Sequence, residues 1–139
     1  MFDYKWLVTF LLTSFLWADS MELKILNGSW HLRVMDGMEV RKARAILDFD
    51  MKKMQLSGFD ACNRIRGTLI KHSDINLTVP MLITTKMACR GKIHNWVSNR
   101  LHQTLKERFN IQEENRYGVD GITIKSLHHE LFFKKMHRE

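Results

Sequence analysis

The chain has 139 residues, 45% apolar and 10% aromatic, with a formal net charge of +7. That length suits one domain, and the apolar content supplies a real core, which argues against a disordered chain. A single proline and no repeat or low-complexity tract exclude solenoid and proline-rich architectures.

The first element is Trp6 to Ala18, a largely apolar run that follows Lys5 and precedes the small residues Ala18-Asp19-Ser20. It has the size of a signal-peptide core and is short for a membrane span. Residues 1–20 are therefore expected to be a leader cleaved after Ser20, with residues 21–139 forming a single exported domain. A buried first element and an uncleaved anchor are the alternatives. No cysteine lies in or just after the segment, which excludes a bacterial lipoprotein anchor. Removal of the leader raises the net charge to +8. Such a charge favours anionic envelope material as a partner or serves solubility alone. The basic residues are scattered and no nucleic-acid fingerprint accompanies them, so no nucleic acid is expected.

Ser29 to Val34 alternates, with Trp30, Leu32 and Val34 on one face, and reads as a half-buried strand. Asp36-Gly37 signals a turn. Ala45 to Phe49 reads as a second strand, Asp50 to Lys53 as a hairpin loop, and Met54 to Gly58 as a third strand ending at the glycine. Phe59 to Asn63 is a loop. Arg64 to Ile70 alternates again, and Ile75, Leu77 and Val79 mark a short strand before Pro80. Lys92 to Lys106 is the clearest helix. Ile93, Trp96, Val97, Leu101 and Leu105 form its apolar stripe, with Arg100 and Thr104 as interruptions. The stripe is expected to pack on the core; a membrane-surface helix is the alternative, given Lys92, Arg100, Lys106 and Arg108. Phe109-Asn110-Ile111 opens a strand, Gly118 to Gly121 punctuates, Ile122 to Leu127 alternates, His128 to Glu130 turns, and Leu131-Phe132-Phe133 closes the sheet. Strands joined by short turns around one helix predict an α+β fold: an antiparallel sheet curled against the helix at about 92–106.

Two cysteines, Cys62 and Cys89, in a chain expected to be exported point to one disulfide. Catalytic dithiols usually sit two residues apart at a helix N-terminus, so this wider spacing favours a structural pair over a thiol-dependent enzyme. Asn63, Arg64, Arg66, Lys86 and Arg90 flank the two cysteines. They form a candidate rim for an anionic group, because guanidinium and ammonium donors match carboxylate and phosphate oxygens; for Asn63 a turn-forming role is the simpler alternative. His94 and His102 are eight residues apart on the helix, and His128-His129 would face opposite sides of a strand. No His/Cys spacing resembles a zinc site, so neither metal nor cofactor is expected. No serine-hydrolase elbow, phosphate loop or zinc-protease signature occurs, and no enzymatic activity is expected.

Five segments in order carry a family likeness. Gly28-Ser29-Trp30-His31-Leu32 matches an opening Gly-x-Trp-x-Leu strand, and Leu47-Asp48-Phe49 a Leu-x-Phe strand. Gly58 to Asn63 is similar to a Gly-x-x-Gly-Cys-Asn segment. Thr84 to Cys89 matches a Thr-x-Met-Ala-Cys segment before the helix, and Leu131-Phe132-Phe133 a closing strand. From about Leu26 to Lys135 the chain resembles the META domain family, that of the bacterial heat-shock protein HslJ. The resemblance implies a compact, strongly curved antiparallel sheet or partial barrel holding a helix. It also implies a periplasmic or secreted location and an association with stress or drug tolerance, and no known reaction. Ala61 stands where the family commonly has glycine. Arg90-Gly91-Lys92 replaces the acidic residues often found at the helix start.

Overall fold

A computed structural model describes residues 23–137; the expected leader lies outside them. A 3-10 turn at Leu23–Leu26 leads into β1 (Gly28–Met35), which pairs with the short β2 (Met38–Glu39). There follow β3 (Ile46–Asp50), β4 (Gln55–Phe59), β5 (Arg64–Thr68), β6 (Ile70–Lys71), β7 (Asn76–Thr78) and β8 (Leu82–Thr84). Then come helix α1 (Lys92–Lys106), β9 (Phe109–Arg116), β10 (Val119–Lys125) and β11 (Glu130–Lys135).

All strand pairs are antiparallel, in the order β6-β7-β9-β10-β11-β1-β3-β4-β5-β8. The pairing of β11 with β1 joins the two ends of the described chain, with Leu32 opposite Phe133 and a bulge between Leu32 and Val34. A long sheet of twisted strands must curl, and this one curves into a half-barrel around α1. Leu32, Leu47, Leu56 and Ile65 point inward and meet Val97, Leu101 and Leu105 of the helix in one core. Each of these helix residues is fully buried, worth about 1.5–3 kcal/mol apiece in transfer terms. Trp30, also buried, donates its indole N–H to the Leu26 carbonyl at 2.7 Å and so fixes the opening turn against β1.

Helix α1 has the predicted bounds. Its two stripe interruptions have local explanations. Thr104 is fully buried and donates its hydroxyl to the Arg100 carbonyl at 2.8 Å. Arg100 reaches out of the stripe, stacks on Trp96 at 4.1 Å and bonds Asp36 in the turn between β1 and β2 at 2.5 Å. The same Asp36 contacts His129 at 2.8 Å, and His129 in turn contacts Gln103. The polar side of α1 thereby ties down two turns at one end of the half-barrel.

The strands differ from expectation where pairing outweighs pattern. Met54 is the last residue of the turn, with positive φ, and β4 runs on through Gly58 to Phe59. The alternating run Arg64 to Ile70 breaks at Leu69, whose amide donates to the Met54 carbonyl; β6 then leaves for the opposite edge of the sheet. Tyr117-Gly118, both with positive φ, form a two-residue hairpin turn. β10 therefore begins at Val119 and not after Gly121. β8 had no alternation long enough to announce it.

Candidate functional site

The two cysteine-bearing segments meet at one end of β5. β4 can approach β3 closely because residue 58 is glycine: a Cβ there would lie 2.1 Å from the Ile46 carbonyl oxygen. The chain then turns through Asp60–Asn63, with the Asp60 amide donating to the Asn63 carbonyl at 2.9 Å. The Asp60 side chain is fully buried and accepts the amides of Cys62 at 2.7 Å and Asn63 at 2.5 Å. Its other oxygen lies 2.5 Å from His102 Nε2 on α1, and Ser98 also bonds it. Burial pushes this carboxyl's pKa up, but His102, the two amides and Ser98 outweigh it and hold the group below the usual carboxylate range.

Ala61 occupies this turn with φ +87°, a conformation in which a Cβ is strained and glycine is not. The family's glycine preference at this position therefore has a backbone cause. On the other segment, Thr85 and Arg64 exchange bonds: the Thr85 amide donates to the Arg64 carbonyl at 3.1 Å, and the Arg64 amide to the Thr85 hydroxyl at 3.0 Å. The Asn63 carboxamide oxygen accepts the Met87 amide at 2.5 Å and the Thr85 hydroxyl at 3.3 Å. Cys62 and Cys89 are joined by a disulfide, with Cα atoms 4.5 Å apart. Cys62 is buried and Cys89 exposed. The junction is a clasp between two loops, anchored to the helix through Asp60.

Beside the clasp, the outer face of β3, β4, β5 and β8 carries an open groove of about 550 Å³. Arg64 and Arg66 line it together, two residues apart on one face of β5 and so ~7 Å apart along the strand. Phe59 pairs with Arg64, and Ser57 and Ile83 flank Arg66 on the neighbouring strands. Among the described residues neither guanidinium has an ion-pair partner. Asp48, which also lines the groove, accepts a hydrogen bond from Ser29. A second open groove of about 840 Å³ shares Asp48, Ser57 and Arg66 and continues the trough toward β1.

The five rim residues of the sequence reading thus divide three ways. Arg64 and Arg66 share the groove. Lys86 and Arg90 are exposed on the linker between β8 and α1, outside its lining. Asn63 spends its side chain on the clasp. The sequence places Asp60 in the Phe59–Asn63 loop and carries no sign of its contact with His102; an aspartate two residues before a cysteine was the one available hint. Among the described residues no three His, Cys, Asp or Glu side chains gather as a metal-ligand group.

The META domain profile matches residues 22–136, nearly the whole described chain. The protein belongs to the META domain family. Two solution structures share the fold. One, of a protein from Burkholderia xenovorans, is 21% identical, with a TM-score of 0.64 over 86% of this chain and 90% of that one. The other is 25% identical, with a TM-score of 0.63 over 79% of this chain and 90% of that one. A comparison with curated proteins gave no match. Within this META domain, the opening Trp30, the Gly58–Asn63 turn and the Thr84–Cys89 segment have the structural roles described above.

Proposed function

We propose that this META domain is an exported, non-enzymatic binding protein of the HslJ type, which supports stress or drug tolerance by taking an anionic group into the groove beside its disulfide clasp. The observation that carries the reading is the pair Arg64 and Arg66, side by side in one groove and without carboxylate partners among the described residues. Unpaired guanidinium groups flanked by hydroxyls suit carboxylate or phosphate oxygens. The groove volume falls within the roughly 300–1,000 Å³ of small-molecule sites. The pairing of buried Cys62 with Cys89 supports a structural role for the cysteines, and the disulfide supports export.

The test is equilibrium binding of the full chain to two soluble polyanions, polyphosphate and polygalacturonate, at rising salt. Binding is expected to weaken with salt. Replacement of both arginines (Arg64→Gln with Arg66→Gln) is expected to lower affinity at least tenfold at unchanged melting temperature. Equal affinity of variant and wild type would refute the assignment.

A further inference from the structure

Charge along the chain is sharply uneven. Between Asp60 and Glu107 the sequence holds eight Lys and Arg residues and a single acid, Asp74, which pairs with Lys71. From Ile75 to Lys106 there is no carboxylate at all. β8 is the edge strand at this end of the sheet, and the segment around it carries an unusual set of exposed apolar side chains. Met81 is 79% exposed, Ile83 64% and Met87 49%. Of the other large exposed apolar residues, Tyr117 and Leu127 stand singly in turns, as scattered surface residues commonly do, and Met38, Ile70, Ile75 and Met136 are only 39–49% exposed. Met81 stands one residue before β8 and Ile83 within it, so the two exposed side chains lie close along the same edge. Ile83 lines the same groove as Arg64 and Arg66 and sits opposite Arg66 in register. Lys86, Arg90 and Lys92 follow without an ion-pair partner among the described residues.

Apolar side chains projecting from a basic edge whose own segment holds no carboxylate, with Asp48 of β3 as the acid of the adjoining groove, suit an anionic lipid interface: the apolar tips enter the headgroup boundary while the cations meet lipid phosphates. A soluble anion would use the arginines and leave Met81 and Ile83 in water. We propose that the β8 edge, where Ile83 stands opposite Arg66 with Met81 beyond it and Arg64 and Lys86 toward the other end, docks this domain on the surface of an anionic lipid bilayer. This rests on the anion-binding reading of Arg64 and Arg66 and gives its ligand a source, the lipid headgroup.

Hydrogen exchange read locally over residues 81–92 tests the proposal on the full chain, because attachment through residues 1–20 does not protect this segment. Vesicles of equal parts phosphatidylglycerol and phosphatidylcholine are expected to slow exchange there; phosphatidylcholine alone is expected to leave it unchanged. Met81→Ser with Ile83→Ser should abolish the protection, and Met81→Ser alone, outside the groove lining, should weaken it while polyphosphate binding stays as in wild type. Arg64→Gln with Arg66→Gln should weaken vesicle protection roughly 30-fold in lipid concentration. No protection on anionic vesicles, or protection indifferent to the Met81 and Ile83 substitutions, would overturn bilayer docking. If polyphosphate binding then still depends on Arg64 and Arg66, the anion-binding reading stands alone; if it does not, both fall.

Discussion

Asp60 is the residue whose loss should be felt most beyond its own position. Asp60→Ala leaves the Cys62 and Asn63 amides, the Ser98 hydroxyl and His102 without their shared acceptor. Each buried donor left unsatisfied costs about 1–3 kcal/mol. Ser98 can rotate its hydroxyl, and His102, with 22% of its side chain exposed, can turn toward water. The two amides dominate, and the expected loss is about 3–5 kcal/mol, comparable to removing one partner of a buried ion pair. That is a large part of the roughly 5–15 kcal/mol of a typical domain. Asp60→Asn keeps an oxygen for the amides and should cost about 1–2 kcal/mol. The sign with pH follows from the lowered pKa of Asp60. The stabilisation is complete above the unfolded aspartate value of about 3.9 and is lost as pH falls through the lower folded value. The gap between wild type and Asp60→Asn should therefore be widest near neutral pH and close in acid. Urea unfolding followed by tryptophan fluorescence, with the disulfide intact, measures both. A loss below about 1 kcal/mol for Asp60→Ala, or a wild-type to Asp60→Asn gap that does not change below about pH 4, would refute the clasp's dependence on this carboxylate.

Four further outcomes follow from the same region. Non-reduced protein should show no thiol to a labelling reagent. Cys62→Ser with Cys89→Ser should lower stability by about 3–4 kcal/mol, the loop-closure value for a separation of 27 residues, read as a shift in urea midpoint. Ala61→Gly should raise stability by about 0.5 kcal/mol, because relief of about 1–2 kcal/mol of left-handed strain exceeds the loss of one buried methyl; an unchanged or lower melting temperature would count against that strain. Gly58→Ala should destabilise by more than ~3 kcal/mol, since its Cβ would stand on the Ile46 carbonyl. Well-folded Gly58→Ala protein by circular dichroism would show that the β3–β4 approach can relax.

Much of the site was legible as a set of neighbours without being legible as a geometry. The family segments placed Cys62 and Cys89 in two loops, and the basic residues around them could be named. Which of those residues share a surface depended on the β4–β5–β8 register, which sets Arg66 opposite Ser57 and Ile83 and turns Arg64 and Arg66 to one side. Alternation along β5 said that the two arginines face together; it did not say what stands across from them. Asn63 looked like a candidate ligand-binding group until its oxygen met the Met87 amide. Asp60 and His102 lie 42 residues apart, and no local pattern joins them.

The sequence by itself determined the elements whose signal is local. The period of Ile93 to Leu105 fixed helix α1, because 3.6-residue spacing presents one stripe regardless of what it meets. Alternation marked β1, a short apolar run marked β3, and two cysteines in a chain expected to be exported pointed to the disulfide that the structure contains. The tertiary structure decided what depends on partners distant along the chain: the closure of β11 onto β1, the break at Leu69 that sends β6 to the opposite edge, and the short β8. Backbone hydrogen bonds between strands carry no local signature when a strand is two or three residues long. Their pairing is chosen by the curvature of the whole sheet around α1. That same choice placed Arg64 and Arg66 beside the exposed Ile83 and made a surface from residues that the sequence held apart.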